Sequence, residues 1–395
     1  MVDLLIYYTE GILLFVYLIG IMYLILFRFG YGKKVVEHTS MYKVLEIDVI
    51  IPIYREDPDM IKKCLNSLQI QKNLKINAII IIKDPNEKQK NLINTYDKKF
   101  NSIKVVVQNG KPSQNIAYLL GMQHVSTNYV CILSSDSKIL KNNCISRLLS
   151  LAYSEKADVS FGLALPEITT SHASRFTAIE KVFRQYLLVK GRGALGMGYY
   201  FPGNFAVIKS STLRRSIKRL IKNNTMTMYD LGTMLQLYAS KKGRLSFIGV
   251  PVVTEAERGS FKGWALQSSR WFIGTFGLYS YYKNFFTSAE NKLKVGWFGV
   301  IWSWRILPVA LVIGLALVPL SLNGTYAFLI FYIATYMILT LILFSISEER
   351  GYGTTHLLLH WLVTSLVKSF AILIAIYEYV FIRFKREELY KLFVR

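Results

Sequence analysis

The chain has 395 residues, 52% of them hydrophobic, and its 48 Lys and Arg against 25 Asp and Glu give a net charge of +23. A nucleic-acid-binding protein would carry such a charge on a soluble surface with few long apolar segments, whereas this sequence has several such segments. The composition therefore favours a protein associated with a lipid bilayer and excludes nucleic acid as the expected partner.

The first apolar segment is GILLFVYLIGIMYLILF, residues 11–27, which is about the shortest stretch that can cross a bilayer. No basic residue precedes it and no small-residue cleavage site follows it, so we predict a membrane anchor over residues 1–30 and not a signal peptide. The basic segment RFGYGKKVVEHTSMYK comes next. By the positive-inside tendency, this segment places the following domain in the cytoplasm.

Residues 46–263 are predicted to form one cytoplasmic domain, because short apolar segments alternate there with amphipathic ones. Continuous apolar strands separated by helices indicate an α/β fold with a mostly parallel sheet covered on both faces. The predicted strands are IDVIIPI, INAIIIIK, IKVVVQ, YVCILSS, DVSFGL, NFAVI and SFIGVPVV, and the predicted helices between the early strands are DMIKKCLNSLQ, SQNIAYLLGMQHV and CISRLLSLAYS.

Ligands of such sheets bind beyond the carboxyl ends of the strands, and these ends are polar in this chain. They read PIYRED, KDPNE, QNGKPSQN and SSDSK, so Asp84 and Asp136 are expected at one edge with Tyr54, Glu56 and Lys111. The sequence contains neither GxGxxG nor GxxxxGK[ST]. A dinucleotide-dependent oxidoreductase and a P-loop ATPase are therefore unsupported.

The segment WALQSSRWFIG opens a region, residues 264–295, that we predict as interfacial helices. Gln267, Arg270 and Trp271 have i, i+3 and i+4 spacing, so an amide, a guanidinium and an indole share one helical face. That face suits a planar or anionic ligand. An arginine that snorkels to a membrane surface beside an interfacial tryptophan would give the same pattern, and this segment alone leaves both interpretations open.

Three further apolar segments, about 299–320, 326–346 and 357–382, predict membrane helices within residues 296–395. Three crossings after a cytoplasmic domain would leave the basic segment RFKREELYKLFVR outside, against the positive-inside tendency. Either the last segment is re-entrant or interfacial, or a further crossing lies within residues 264–305.

Three segments in order, YYFPGNFAVIKSS, MYDLGTMLQL and VPVVTEAERGSFKGWALQSSRW, resemble the membrane-integrated family-2 glycosyltransferases. This group includes hyaluronan, cellulose and chitin synthases and ceramide glucosyltransferase, and the resemblance covers about residues 46–275 with the flanking apolar segments. It implies a Rossmann-like, GT-A type domain in a multi-pass protein of the cell membrane. The implied activity is inverting transfer of a sugar, from a UDP-sugar in preference to a GDP-sugar, to a growing polysaccharide.

The resemblance also implies roles for individual residues. Asp230 matches the general base, and Asp136 matches the carboxylate that holds Mg²⁺ or Mn²⁺. The nucleotide-binding residues would be Pro52, Tyr54, Glu56, Asp84, Lys111 and Arg270, and the acceptor-binding residues would be Gly203, Asn204, Gln267 and Trp271.

Two positions depart from the family pattern, because Ser134 and Tyr229 stand where acidic residues are usual. An inactive relative is therefore one alternative, as a sugar-binding or assembly subunit. Another is the transfer of a single sugar to a membrane lipid, so the acceptor is a glycan or a lipid.

Overall fold

The computed structural model describes residues 2–31, 45–96, 100, 102–110, 112–167, 171–223, 228–240, 243–256, 259–321, 326–347 and 354–378. Strands from the middle of the chain join in one sheet, and helices cover both of its faces. The strands are β1 (Leu45–Tyr54), β2 (Leu74–Lys83), β3 (Ser102–Val107), β4 (Tyr129–Leu133), β5 (Ser137–Ile139), β6 (Val159–Glu167), β7 (Phe205–Lys209) and β8 (Leu245–Ala256).

The helices precede, alternate with and follow these strands, and two π-helical segments, Arg184–Gly191 and Trp302–Ile306, lie between helices. The first of these segments joins its neighbours into one continuous helix, called helix 172–194 below. The helices are α1 (Val2–Tyr31), α2 (Pro58–Gln69), α3 (Glu87–Tyr96), α4 (Gln114–Met122), α5 (Cys144–Ser154), α6 (His172–Phe183), α7 (Arg192–Ala194), α8 (Ser210–Lys222), α9 (Tyr229–Ala239), α10 (Phe261–Gly277), α11 (Tyr279–Ser288), α12 (Asn291–Ile301), α13 (Leu307–Ser321), α14 (Tyr326–Ser347) and α15 (Thr354–Tyr377).

The strand order in the sheet is β3-β2-β1-β4-β7-β6-β8-β5. The neighbours in the half from β3 to β4 are parallel. In the other half β6 and β8 are parallel, but β7 runs antiparallel to both β4 and β6, and β5 runs antiparallel to β8. The sheet is therefore mixed, which corrects the prediction of a mostly parallel one.

The prediction of an α/β fold is confirmed, and all seven predicted strands are present. The additional strand, Ser137–Ile139, is too short to leave a pattern in the sequence. The predicted direction of the strands was wrong, and the error has a physical reason. A strand buried on both faces is a continuous apolar segment whether its neighbours run parallel or antiparallel to it.

Alternation along each strand divides the core between the two faces. In β1, Val49 and Ile51 belong to the cluster under α2, α3 and α5, whereas Ile50 belongs to the cluster under α4, α8 and α9. Pro52 breaks no ladder bond with β4, since that pairing covers only Asp48–Ile50.

The three cysteines, Cys64, Cys131 and Cys144, are buried free thiols.

The second of these clusters continues into the terminal helices. Helix α1 crosses helix 172–194 where Gly30 meets Gly191, and a Cβ on Gly30 would lie 2.0 Å from the Gly191 carbonyl oxygen. Only glycine permits this approach of the two backbones. Residues of α1, α13, α14 and α15 thus share a core with the sheet domain.

Two helices of the described residues are long and apolar enough to cross a membrane, Tyr8–Tyr31 and Thr354–Tyr377, judged by length and composition alone. The apolar stretches Leu307–Leu317 and Ile330–Ile346 are shorter. Multi-pass topology therefore stays a prediction, and the basic segment after residue 378 lies outside the described residues.

Candidate active site

A cavity of about 730 Å³ opens beyond the carboxyl end of β4, between the sheet and helices 172–194, α10, α11 and α12. Four separate segments of the chain bring predicted site residues to its wall. We call these residues the cavity group: Asp136, Gly203, Asn204, Asp230, Gln267, Arg270 and Trp271.

Asp230 lies in the first turn of α9 and is 9% exposed. The Tyr200 hydroxyl donates a hydrogen bond of 2.7 Å to Asp230 Oδ2. Burial raises the pKa of Asp230, and the hydrogen bond from Tyr200 acts in the opposite direction. A carboxylate with a raised pKa at the wall of a cavity is suited to accept a proton from a bound hydroxyl.

The backbone around Asp230 allows position 203 to approach the carboxylate closely. A Cβ at position 203 would lie 2.7 Å from Asp230 Oδ2, so glycine is required there for the carboxylate to keep its position. Met228, directly before α9, has φ of 62° in the left-handed region. Such a conformation in a residue other than glycine is uncommon and concentrates at functional sites.

Tyr229, which replaces an acidic residue in the family pattern, has a packing role. It is 1% exposed, and its hydroxyl donates a hydrogen bond of 2.7 Å to the carbonyl of Gly203. Its ring packs edge-on against Tyr118, with centroids 4.5 Å apart. Tyr229 therefore holds the loop that approaches Asp230.

Asp136 lines the cavity just beyond β4, where the metal was predicted. Burial raises the pKa of Glu56 to about 7, and the negative charge of Asp136 acts in the same direction. Two carboxylates that oppose each other's ionisation fit a divalent cation. The described residues contain no group of three or more His, Cys, Asp or Glu side chains that could hold a metal ion by themselves. Mg²⁺ needs only one or two protein carboxylates when phosphates supply the other ligands. Asp136 together with the phosphates of a donor therefore suits Mg²⁺ or Mn²⁺.

Asn204 connects the two halves of the sheet at this edge. Its carbonyl accepts a hydrogen bond of 2.8 Å from the Ser134 N–H, and its Nδ2 donates one of 2.8 Å to Glu255 Oε2. The same oxygen of Glu255 forms an ion pair with Lys181. The Asn204 Nδ2 is therefore committed to Glu255, while its buried Oδ1 has no hydrogen-bond partner among the described residues.

The helix α10 presents Gln267, Arg270 and Trp271 to the cavity together, as their spacing predicts. The Arg184 guanidinium lies over the Trp271 ring, 5.0 Å from its centroid, so one face of the indole is covered by a cation. Earlier in α10, Trp264 Nε1 donates a hydrogen bond of 2.9 Å to Glu180 Oε2. Thus α10 is fixed to helix 172–194 through both Trp264 and Trp271.

Residues 48–224 match the family model described as Glycosyl transferase family 2. The chain contains a glycosyltransferase family 2 domain and is a glycosyltransferase. The matched residues include Asp136, Gly203 and Asn204, while Asp230 and α10 follow them in the chain. The cavity thus joins the matched domain to segments beyond it.

Among solved structures, the fold is similar to that of the mannosyltransferase PcManGT from Pyrobaculum calidifontis in complex with GDP-Man and Mn²⁺. The TM-score is 0.63 at 13% sequence identity, over 94% of this chain and 99% of that chain. TarS 1–349 of S. aureus in complex with UDP-GlcNAc gives a TM-score of 0.39 at 12% identity, over 84% and 90% of the two chains. TarS 1–349 is also matched in a structure without the sugar nucleotide, at a TM-score of 0.38, 12% identity, and 84% and 89% coverage. None of the curated proteins matches the chain in sequence. The similarity to PcManGT shows a GT-A-like α/β fold.

The remaining predicted residues of the glycosyltransferase lie at the ends of β1 and β2, off the wall of the cavity, and we call them the strand-end group: Pro52, Tyr54, Glu56 and Asp84. Arg55 lies over the Tyr54 ring at 5.2 Å, and Lys83 Nζ lies 2.7 Å from Asp84 Oδ1. The Tyr54 N–H donates a hydrogen bond to the Glu56 carboxylate, which turns the chain into α2. Lys111 falls outside the described residues.

Several basic side chains of the cavity were not predicted from the sequence. Together with Arg270 they outnumber the three cavity carboxylates, Asp136, Asp230 and Glu255. A signal was present in KVFRQYLLVKGRG, where basic residues recur in an apolar stretch, but the π-helical segment shifts the helical spacing within it. The unpredicted basic residues are Lys181, Arg184, Arg192 and Arg305.

Proposed function

We propose that this glycosyltransferase moves a sugar from a nucleotide-sugar donor to an acceptor hydroxyl with inversion at the anomeric carbon, and so extends a glycan. The observation that carries the proposal is that one cavity gathers Asp136, Asp230, Arg270 and Trp271. Each of these side chains has a chemical property that one part of the reaction needs.

Asp230 acts as the general base. Its carboxylate takes the proton of the acceptor hydroxyl as the oxygen attacks the anomeric carbon from the face opposite the nucleoside diphosphate. Attack from that face inverts the carbon, so an α-linked donor gives a β-glycoside. The buried position of Asp230 and its bond to Tyr200 support this role.

The departing diphosphate needs positive charge. Arg270 is suited to supply it through paired N–H donors to phosphate oxygens. A divalent cation held by Asp136 would supply more when bound. Glu56 is then a neighbour of the metal site, and Pro52, Tyr54, Asp84 and Lys111 bind the nucleoside.

The acceptor lies along Gly203, Asn204, Gln267 and Trp271. Aromatic side chains support this assignment, because their flat apolar faces suit the C–H groups of sugar rings. Tyr200, Trp271, Tyr282 and Trp297 all line the cavity. We also propose a multi-pass protein of the cell membrane with the transferase domain in the cytoplasm, for which the two long apolar helices give support.

The test uses the purified chain in lipid nanodiscs with a panel of UDP- and GDP-sugars and Mg²⁺ or Mn²⁺. We expect a UDP-sugar to be used in preference to a GDP-sugar. GDP-mannose and Mn²⁺ belong in the panel because PcManGT holds both. Release of nucleoside diphosphate and the size of the labelled product are measured, with added glycan and lipid acceptors in separate reactions.

Release with one donor and a product that lengthens with time would support glycan extension. A single organic-soluble product would replace it with transfer to a membrane lipid. If no donor of the panel is turned over with any acceptor, the proposal of a nucleotide-sugar reaction in this cavity is wrong.

A further inference from the structure

Arg192 is a buried cation of the cavity that has no role in the reaction described above. It lies in α7 at the end of helix 172–194 and is 1% exposed. Its Nε donates a hydrogen bond of 3.0 Å to the Gly198 carbonyl, while its Nη1 has no hydrogen-bond partner among the described residues. A buried guanidinium N–H without an acceptor is costly and calls for a ligand or a function.

The charge of Arg192 is also uncompensated. Within the described part of the chain, the groups that interact with it electrostatically are the hydroxyls of Tyr200 and Tyr238. The other buried cations of the described residues are paired: Lys181 with Glu255, and Lys368 with Glu180 at 2.8 Å. Burial lowers the pKa of Arg192 to about 10, which still leaves it positively charged at neutral pH.

The neighbours of Arg192 place it on the side of the cavity that holds Asp230. Its guanidinium lies over the Trp297 ring at 5.1 Å from the centroid, and Trp297 packs near Tyr200 with ring centroids 6.4 Å apart. Tyr200 in turn donates to Asp230. An acceptor that offers its hydroxyl to Asp230 would therefore extend along Tyr200 and Trp297 toward Arg192.

We propose that Arg192 binds a negatively charged oxygen group, a carboxylate or a phosphate, carried by the acceptor. The proposal rests on the function given above, since it assumes that the acceptor enters this side of the cavity. A guanidinium presents N–H donors in a planar fork that matches carboxylate and phosphate oxygens. The acceptor of this enzyme is thus an acidic molecule, and a neutral analogue leaves the buried charge unpaired.

The experiment compares matched pairs of acceptors that differ only in the acidic group. The pairs are a β-linked disaccharide ending in glucose against one ending in glucuronic acid, and the same disaccharide against its 6-phosphate. We expect the native chain to prefer the acidic member of at least one pair, and the pair that shows the preference identifies the source of the oxygen group.

In Arg192→Gln, kcat/KM for the acidic acceptor should fall about 10- to 100-fold, because one charged hydrogen bond is lost. The donor KM should be unchanged. Arg192→Lys keeps the charge without the fork and should retain part of the preference. Arg215→Gln, which removes an exposed arginine of α8, is the matched control. Equal use of both members of every pair by the native chain, or a preference that survives in Arg192→Gln, would overturn the proposal.

A binding measurement keeps this test separate from that of the proposed function. Inorganic phosphate and glucuronate should raise the melting temperature of the native chain more than that of Arg192→Gln, whether or not any sugar is transferred. If no acceptor reacts but this difference is present, the proposed reaction fails and the anion site stands. If glucose and glucuronate stabilise the native chain equally and phosphate has no effect, the site is not there.

Discussion

Asp84 of the strand-end group and Asp230 of the cavity group differ in how much water surrounds them. Asp84, with 56% of its side chain exposed, has a lysine neighbour at 2.7 Å, whereas Asp230 is 9% exposed and depends on Tyr200. Water screens a charge at the first position, but at the second the few neighbouring atoms decide where the proton lies. The same substitution should therefore act on donor binding at Asp84 and on chemistry at Asp230.

The largest expected effect comes from Asp230→Asn. Loss of the general base should lower kcat by about 10²–10⁴ without changing the affinity for the donor nucleotide. Calorimetric titration with the nucleotide measures the affinity, and nucleoside diphosphate release measures kcat. Asp84→Asn is the matched control, for which we expect a raised donor KM and nearly native kcat. If the two variants affect kcat alike, the division of roles between Asp230 and Asp84 is wrong.

Gly203→Ala tests whether the position of the base matters as much as its presence. The new Cβ would stand 2.7 Å from Asp230 Oδ2, so the carboxylate must move. Displacement of a reacting group by about 1 Å can cost about 10²-fold in rate, and we expect a loss of kcat of that order. At Gly259 an added Cβ would meet no atom within 4 Å, so Gly259→Ala is the control. A native kcat in Gly203→Ala would separate Asp230 from the reaction.

The difference between the two groups also explains how much the sequence could predict. Apolar patterns predict the strands and helices of the sheet domain, because buried elements leave runs and periods in the sequence. They do not give strand direction, so the antiparallel β7 was missed. The order of the motifs indicates the seven residues of the cavity group, and the structure places them around one cavity.

The buried basic residues were harder to predict. Arg184 and Arg192 lie on a helix whose π-helical segment breaks the usual spacing, and the stretch between them is mostly apolar. A cation in such a stretch has the same local pattern as an arginine that snorkels to a membrane surface. Only the fold shows that both line a cavity with Asp230.

Tyr200→Phe tests whether the buried Asp230 controls the pH dependence of kcat. Asp230 must be ionised to accept a proton, so kcat should rise with pH through its pKa, which burial raises above the usual range. The Tyr200 hydrogen bond favours the ionised form, so its removal should move this rise to still higher pH. The kcat of both proteins is measured from pH 5 to pH 9, with Tyr279→Phe, another tyrosine of the cavity wall, for comparison. An unshifted profile in Tyr200→Phe would mean that another group controls the rate.

The smallest expected effect is that of Tyr229→Phe, which asks whether the departure at this position impairs the site or supports it. The substitution removes the hydroxyl that donates to the Gly203 carbonyl and leaves that buried acceptor without its partner. The free energy of unfolding should fall by about 1–3 kcal/mol, measured by denaturant titration, while the ring keeps its packing against Tyr118. Because Gly203 then loses one restraint near Asp230, kcat should decline by less than in Gly203→Ala. A stability loss with most of the activity kept would identify Tyr229 as part of the frame that holds the base. A gain in kcat in Tyr229→Glu would instead mean that the tyrosine has replaced an acidic residue that the reaction uses, and that the cavity has departed from a more active form.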